Sequence, residues 1–326
     1  MHVVRVTEFG PADSLEWTEA PDPEPGPGEI LVSLTAAAVN RSDLLYRSGQ
    51  YHSGPPLPAV PGSEGAGTVV ALGANAGEFA LGDRVVIWGP MGTPGCYAEL
   101  AAVPVDRALV VPEGVSLVAA AATPIAWLSA WYCLRHLVDV RPGDVVLLNA
   151  AASGVGSAAV QIAKDAGATV IAVVGTAEKE QWVRELGADH VVRRDRDDVL
   201  ATVRHLTEGR GADAALDLVG GDAFATAVRS VGHAGRVAAM ANVALDPTTL
   251  DTRDFYPKNA SIFGFQINDL MRHGWDPRPD LTALLTGIAD GRFTVPVDST
   301  FPLAEAAAAH RRLESARTRG KIVLTI

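Results

Sequence analysis

Length, composition and charge narrow the classes of protein to which this chain can belong. It has 326 residues, 48% of them hydrophobic, so it can bury the cores of two domains, and a disordered or fibrous protein is excluded. Its formal net charge of −11 repels a phosphate backbone, and we therefore expect no nucleic-acid partner.

Signals for a membrane, for export and for disulfide bonds are missing from the sequence. The apolar runs are interrupted well before the ~20 residues that a membrane span needs. The first residues lack the basic start and apolar centre of a signal peptide, so we expect a cytoplasmic protein with no membrane partner. Cys96 and Cys133 make neither a disulfide framework nor a metal cluster, and we expect two buried thiols.

The first part of the chain predicts an irregular, mainly β domain. Short β-type runs at 30–34, 67–72 and 83–88 alternate with turn formers such as Pro25-Gly26-Pro27-Gly28. We place this domain at residues 1–118.

From about Ser116 an Ala-rich helical stretch to Leu137 gives way to strands that alternate with helices. This alternation predicts βαβ units and an α/β fold, with a doubly wound, parallel, six-stranded sheet in residues 119–265. Residues 266–326 are too few for a core of their own, so we expect them to return to the first domain. The predicted strands of the sheet are 145–148, 169–174, 190–192, 214–219, 236–240 and 261–265.

The first of these strands runs into a turn of small residues, 150–156, followed by a predicted helix at 157–166. Small residues let the backbone turn sharply and direct amide groups at a pyrophosphate, and Gly156 permits close packing of helix on strand. Ala151 and Ser153 stand where the usual Gly-rich fingerprint has its first two glycines, so a simple tight connection is the alternative. The predicted dinucleotide contacts in the turn are Ala151, Ser153, Gly154, Val155 and Gly156.

The end of the second strand favours NADPH over NADH. An NAD site usually has an acidic residue here, whereas this chain has Gly175, followed by Thr176. A glycine leaves room for a 2′-phosphate, and Lys179 and Arg194 are candidates to supply positive charge. Either cation alone could equally be an ordinary solvated side chain, so the missing acid is independent support for NADPH.

Several segments have an order and spacing typical of one protein family; they are 25–32, 39–43, 61–67, 82–85, 150–161 and 320–324. On these segments the chain resembles the medium-chain dehydrogenase/reductase superfamily, and within it the zinc-independent quinone oxidoreductase, or zeta-crystallin-like, branch. The resemblance implies a GroES-like catalytic domain interrupted by a Rossmann domain, with the active site in the cleft between them. It also implies a homodimer joined through the sixth Rossmann strand, around Ile262 to Phe265.

The resemblance further implies catalysis without metal. Zinc alcohol dehydrogenases of the superfamily have a Cys where this chain has Asn40 and a His where it has Ser63, and neither Asn nor Ser is a good zinc ligand. We therefore predict no metal site. A quinone or an α,β-unsaturated carbonyl compound suits hydride transfer from NADPH without metal, because the developing charge spreads onto oxygen.

By the same resemblance, Asn40 and Tyr51 are candidate catalytic residues. Asn40 is expected beside the nicotinamide and the substrate, Ser129 beside the carboxamide, and the Tyr51 phenol near the substrate oxygen, as a hydrogen-bond or proton donor. Each has a structural alternative, as a turn residue, a helix hydroxyl and a packing residue respectively. The remaining predicted cofactor contacts are Asn242, Phe263 and Phe265.

Two other functions stay open at this level. An enoyl reductase acting on a carrier-bound or specialised metabolite would use the same cofactor chemistry, and a NADPH-binding protein with little turnover would use the same fold. Leu45 stands where relatives often have a tyrosine, which weakens any direct transfer of substrate preference from them.

Overall fold

The structure is a computed structural model that describes residues 1–326, with fifteen β-strands and ten α-helices. The strands are β1 (His2–Val6), β2 (Leu15–Glu19), β3 (Glu29–Val39), β4 (Glu64–Leu72), β5 (Arg84–Trp88), β6 (Leu100–Pro104), β7 (Ala108–Val110), β8 (Val145–Leu148), β9 (Thr169–Val174), β10 (His190–Arg193), β11 (Ala212–Asp217), β12 (Val231–Ala239), β13 (Ser261–Gly264), β14 (Val297–Pro302) and β15 (Lys321–Thr325). The helices are α1 (Arg41–Arg47), α2 (Leu117–Ala121), α3 (Pro124–Trp131), α4 (Gly154–Asp165), α5 (Ala177–Glu185), α6 (Val199–Leu206), α7 (Gly221–Ser230), α8 (Ile267–Arg272), α9 (Arg278–Ala289) and α10 (Ala306–Glu314).

The chain divides into two compact units. The first unit comprises Met1–Leu128 with Met271–Ile326, and the second unit is the continuous segment Ser129–Leu270. Both boundaries lie further along the chain than residues 118 and 265, where the sequence places them. The first boundary falls inside α3, so the helical stretch that opens the predicted Rossmann domain contributes to both units.

In the second unit, six strands form one parallel sheet in the order β10-β9-β8-β11-β12-β13. The chain starts in the middle of this sheet, builds outward to one edge, and then returns to build the other half, which is the strand order of a Rossmann domain. The predicted doubly wound sheet is confirmed. The inner strands β9, β8 and β11 are almost entirely buried, with Leu147 and Ile171 among the core residues, whereas the edge strand β13 is mostly exposed.

The first unit is built on a sheet with the order β14-β15-β3-β4-β5-β7, with β6 pairing with β3 as well, and on the separate hairpin β1–β2. Strand β15 is antiparallel to β3, with Ile322 opposite Val39, and β4 is antiparallel to β3, with Gly65 opposite Ala37. The end of β3 therefore lies beside the beginnings of β4 and β15. This register determines which side chains meet in the first unit.

The last part of the chain, Met271–Ile326, belongs to the first unit. Near its end, a 3₁₀ turn, Leu303–Glu305, leads directly into α10. Cys96 and Cys133 are both buried free thiols, as expected, and burial raises the pKa of each. None of the helices combines the length and the apolar character needed to cross a bilayer.

Candidate active site

The first unit gathers polar side chains at the point where β3 ends and β4 and β15 begin. Asn40 follows β3, Glu64 opens β4 and Lys321 opens β15, so the sheet register brings together residues that are far apart in sequence. Asp43 joins them from the first turn of α1. We call these four residues the Asn40 cluster; all are buried, and Glu64 and Asp43 are 0% exposed.

The Lys321 ammonium is the centre of this cluster. Its Nζ donates to Asn40 Oδ1 at 2.6 Å, to Glu64 Oε1 at 2.8 Å and to the Val39 carbonyl at 3.1 Å. Asn40 Nδ2 donates to the same Glu64 oxygen at 2.8 Å, and the other Glu64 oxygen accepts from the Ile125 amide at 2.7 Å. Buried carboxylates are stable only when paired and hydrogen-bonded, and Glu64 meets both conditions.

Asp43 is the carboxyl of the cluster without a cation in hydrogen-bonding range. Its Oδ2 accepts from the Asn40 backbone amide at 2.7 Å, and the Gly62 backbone amide also favours the charged form, whereas Oδ1 is buried without a hydrogen bond of ordinary geometry. Burial raises the pKa of Asp43 to about 7, because the charged form loses its hydration, although the Asn40 amide and Lys321 act in the opposite direction. Asp43 can therefore hold a proton near neutral pH.

A chain of hydrogen bonds connects Asp43 to the surface of the first unit. Tyr97 Oη lies 3.5 Å from Asp43 Oδ2 and 3.0 Å from His310 Nε2, and Arg47 NH1 lies 3.4 Å from His310 Nδ1. Because arginine only donates, Nδ1 must accept, and a neutral His310 then donates from Nε2 to the tyrosine oxygen. Burial and the Arg47 charge lower the pKa of His310 to about 3, so it is neutral. Arg47 NH2 in turn donates to Oε1 of the half-exposed Glu314 at 2.5 Å, and this is the last hydrogen bond of the series.

Tyr51 lies apart from these hydrogen bonds, on the loop after α1. It is half-buried, and its ring is 4.4 Å from the ring of the exposed His52. The loop is anchored by Tyr46, whose hydroxyl donates to the Pro55 carbonyl at 2.9 Å. The result is a depression of about 200 Å³ lined by Phe9, Tyr46, Gly49, Tyr51, His52, Ser53, Gly54 and Pro55.

In the second unit, the turn between β8 and α4 leaves backbone amides at the start of the helix without an intrahelical partner. Ser153 Oγ accepts from the Gly156 amide at 3.0 Å, so α4 begins at Gly154, earlier than the predicted Ser157. The amides of Gly154 and Val155 precede the first intrahelical hydrogen bond and are the ones a phosphate would meet. A Cβ on Gly156 would lie 2.3 Å from the Ala150 carbonyl oxygen, so the close approach of α4 to the turn requires glycine at this position.

Two of the residues predicted to select the dinucleotide, Gly175 and Arg194, lie against each other at the end of β9. A Cβ on Gly175 would lie 3.3 Å from Nε and 3.4 Å from NH2 of Arg194, so the guanidinium lies directly against the glycine. The Arg194 side chain is exposed. Its backbone amide donates to the Val174 carbonyl at 3.0 Å, which fixes Arg194 beside the end of β9. Thr176 is exposed just before α5, and Lys179 is half-buried in the first turn of that helix.

The other predicted cofactor residues occupy different parts of the second unit. Ser129 is buried in α3, whereas Asn242 is exposed on the loop after β12, where its Nδ2 donates to the Asp246 carbonyl at 2.9 Å. Phe263 is half-buried in β13, and Phe265 follows this strand with its ring 5.8 Å from that of Tyr132. Ala151 is buried in the turn after β8.

Comparison with known proteins decides the family. Family models match at residues 26–113, described as the alcohol dehydrogenase GroES-like domain, and at residues 154–284, described as zinc-binding dehydrogenase. A quinone oxidoreductase of Pseudomonas aeruginosa is 32% identical over 329 residues, covering 98% of this chain and 98% of that protein. The chain belongs to the medium-chain dehydrogenase/reductase superfamily. It is an oxidoreductase of that superfamily, and the family that the sequence segments predict is confirmed.

Two further proteins are similar to this medium-chain dehydrogenase/reductase over nearly its full length. A 2-haloacrylate reductase of a Burkholderia species is 32% identical, covering 97% of this chain and 96% of that protein. A mycobacterial protein solved in complex with NADPH superposes with a TM-score of 0.92 at 34% identity, covering 100% of both chains.

Sequence reasoning missed the partners of Asn40 in this medium-chain dehydrogenase/reductase. Glu64 and Lys321 lie within segments that carry the family resemblance, yet neither was singled out, because nothing local shows that they meet. The available signal was a charged residue at the start of each of two otherwise apolar or small-residue strands. Lysine and glutamate are almost never fully buried unless they are paired, so two such residues predict each other as partners.

Proposed function

We propose that this protein is a NADPH-dependent reductase that transfers hydride, without metal, to a quinone or an α,β-unsaturated carbonyl compound. The observation that carries the proposal is the environment of Asn40. This residue stands where zinc enzymes of the superfamily have a cysteine ligand, and its amide is bonded instead to a buried lysine and a buried glutamate. The site therefore offers a hydrogen-bond donor, the second N–H of Asn40 Nδ2, where a metal enzyme offers a Lewis acid.

The second unit supports NADPH as the cofactor, which supplies the hydride when bound. The free amides at the start of α4 suit a pyrophosphate, and Gly156 keeps the turn close enough to present them. At the end of β9, the Arg194 guanidinium against Gly175 suits a 2′-phosphate, because arginine binds phosphate oxygens through several donors at once. The mycobacterial structure with bound NADPH agrees with this choice.

The donor set around Asn40 supports catalysis without zinc. Zinc prefers Cys, His and carboxylate ligands, whereas the atoms that meet here are an amide oxygen, one carboxylate and an ammonium nitrogen. A metal ion at this point would have to displace Lys321, whose charge already balances that of Glu64. We infer that Lys321 takes the place of the metal in balancing this buried carboxylate.

The substrate class follows from what the remaining polar groups can stabilise. Reduction of a conjugated carbonyl compound places negative charge on an oxygen, and a fixed N–H donor in a buried site stabilises that charge strongly. The second N–H of Asn40 Nδ2 is such a donor, and the Tyr51 phenol is a second candidate. The Pseudomonas quinone oxidoreductase and the Burkholderia 2-haloacrylate reductase act, by their names, on acceptors of this kind.

We also propose that two copies associate through the edge of the six-stranded sheet. Strand β13 is the outermost strand on one side, and Ile262 is 38% exposed there. An edge strand with an exposed apolar side chain is a template for pairing with a second copy of the same strand. Ile262→Lys is expected to convert the dimer into a monomer. The molar mass measured by size-exclusion chromatography with light scattering tests this.

The experiment for the proposed function measures oxidation of NADPH at about 340 nm by chelator-treated protein. The acceptors are 1,4-benzoquinone, 9,10-phenanthrenequinone, a short enone, a 2-haloacrylate and a crotonyl thioester, with NADH in parallel. We expect turnover with at least one quinone or enone and a preference for NADPH. Asn40→Ala is expected to lower kcat by about 100-fold, the usual effect of losing one fixed donor.

Each other outcome points to a different function. Turnover of the thioester alone would replace the proposal with an enoyl reductase. Tight binding of NADPH without oxidation by any acceptor would indicate a binding protein. Activity that disappears with the chelator and returns with zinc would contradict catalysis without metal.

A further inference from the structure

The Asn40 side chain is held in one orientation by a hydrogen-bond donor on one side and a hydrogen-bond acceptor on the other. Its Oδ1 faces the Lys321 ammonium at 2.6 Å, and its Nδ2 faces Glu64 Oε1 at 2.8 Å. A lysine can only donate and an ionised carboxylate can only accept, so this arrangement assigns the oxygen and the nitrogen of the amide. A rotation that exchanged them would set an N–H against an ammonium and an oxygen against a carboxylate.

We propose that Lys321 and Glu64 are positioning residues, which fix the Asn40 amide so that its second N–H is presented to the reacting molecule. This inference rests on the proposed function of Asn40. Both residues are almost entirely buried, with 4% of Lys321 and 0% of Glu64 exposed, and electrostatic preferences are stronger in such a low-dielectric environment than in water. The orientation of the amide is therefore set before any ligand arrives.

The hydrogen bonds of Lys321 show why it acts through Asn40 and not directly. An ammonium group has three N–H donors, and Lys321 directs them to Asn40, Glu64 and the Val39 carbonyl. No donor is left for a substrate or a cofactor. The shortest of the three bonds goes to Asn40, whereas balancing the charge of Glu64 alone would not require that bond.

The backbone of Asn40 is held from the other side. Asp43 Oδ2 accepts from the Asn40 amide at 2.7 Å, and Asn40 ends the extended backbone of β3 just before α1. The main chain and side chain of Asn40 thus have separate anchors. Removing Lys321 is expected to free the side chain while the backbone stays in place.

The first test observes the amide itself and does not depend on activity. The Asn40 side-chain NH₂ signal is assigned in ¹⁵N-resolved NMR spectra by its loss in Asn40→Ala. We expect a dispersed, exchange-protected signal in the full-length protein, and a shifted, fast-exchanging one in Lys321→Met/Glu64→Gln, which removes both buried charges and so avoids leaving one unpaired. Lys321→Arg is expected to retain protection, and Lys164→Met, which breaks an exposed lysine pair in the second unit, should leave the signal unchanged.

The second test asks whether the lysine works through the asparagine. Lys321→Met/Glu64→Gln is expected to lower kcat by about 100-fold, as a misplaced catalytic group does, with little change in the dissociation constant of NADPH. In an Asn40→Ala background the same pair of substitutions should cause no further loss, since the group being positioned is already gone.

The outcomes separate this inference from the proposed function. An equal loss of kcat in both backgrounds, or an unchanged Asn40 NMR signal in the charge-free variant, would overturn the positioning role. If the parent protein reduces none of the acceptors, the proposed function fails on its own, and the NMR comparison still decides whether Lys321 and Glu64 orient the amide.

Discussion

The Asn40 cluster and the turn after β8 depend on opposite kinds of residue. Around Asn40, charged and amide side chains are buried within hydrogen-bonding distance of one another. In the turn, by contrast, Gly156 is required because any side chain would collide with the backbone of Ala150 and Ala151. The first region is therefore sensitive to the removal of atoms and the second to their addition, and each can be tested by the substitution that should harm it most.

The largest effect is expected from breaking the buried ion pair. Lys321→Met leaves the Glu64 charge buried without a partner and is expected to lower the free energy of unfolding by about 3–5 kcal/mol. The matched change Lys164→Met, in a pair that is one-third exposed, is expected to cost about 0–1 kcal/mol. Denaturant unfolding of both variants and of Lys321→Met/Glu64→Gln measures this; equal losses in the two single variants would contradict the comparison.

The next largest effect is expected from adding a single methyl group to the turn. In Gly156→Ala the new Cβ meets backbone atoms at 2.3 and 2.6 Å, which cannot move aside as a flexible side chain would. We expect about 1–3 kcal/mol of lost stability and a dissociation constant for NADPH that rises about tenfold. Gly10→Ala, in the first unit, is the control, since its Cβ meets only side-chain atoms of Ser14, at 3.3 and 3.4 Å. Normal NADPH binding by Gly156→Ala would show that the turn does not need its close approach.

The pH dependence of the free energy of unfolding should distinguish Asp43 from Glu64, the carboxylate that is paired with Lys321. Between the usual aspartate pKa of about 3.9 and the value of about 7 in the folded protein, only the folded state holds this proton. The free energy of unfolding therefore falls as pH rises through that window, by about 1.4 kcal/mol per pH unit, and levels off above it. Asp43→Asn should remove this slope from stability curves recorded between about pH 5 and pH 8.

The groups that face Asp43 include Tyr97, Glu64 and Lys321, so the comparison must keep them unchanged. The slope assigned to Asp43 is the difference between the parent protein and Asp43→Asn, which cancels the titration of every group that does not interact with Asp43. Parallel curves for the two proteins would show that Asp43 stays ionised when folded.

The smallest effect concerns the choice of cofactor. Arg194→Ala with Lys179→Ala should raise the KM for NADPH by about tenfold and change that for NADH little, because only the former has a 2′-phosphate for these cations to meet. Steady-state kinetics with both cofactors measures the ratio. A similar rise for both would mean that the two side chains are ordinary surface cations.

Local patterns in the sequence were enough to predict the sheet of the second unit. Its strands are short apolar runs separated by helices, and each run can be recognised without knowing its neighbours, so the predicted 145–148 and 169–174 coincide with β8 and β9. The need for glycine at position 156 was predictable for the same reason, since the turn lies within one βα unit.

The partners of Asn40 could not be predicted in this way. Glu64 lies 24 residues from Asn40 and Lys321 lies 281 residues away, and only the antiparallel register of β3 with β4 and β15 brings them together. The complete burial of Asp43, and the raised pKa that this burial causes, are likewise properties of packing and not of any motif. The family resemblance identified Asn40 as a candidate, but it did not identify Glu64 and Lys321 as the residues that bind its side chain.

The separation of Lys321 from Glu64 along the chain has a consequence for the order of folding during synthesis. Lys321 is made 257 residues after Glu64, with the whole continuous segment Ser129–Leu270 between them. That segment has its own sheet and core and can fold as it emerges, as domains generally do. Until Lys321 emerges, Glu64 must remain hydrated, because burying its charge alone is too costly. The Asn40 cluster is therefore completed last, after the whole of the second unit has been synthesised.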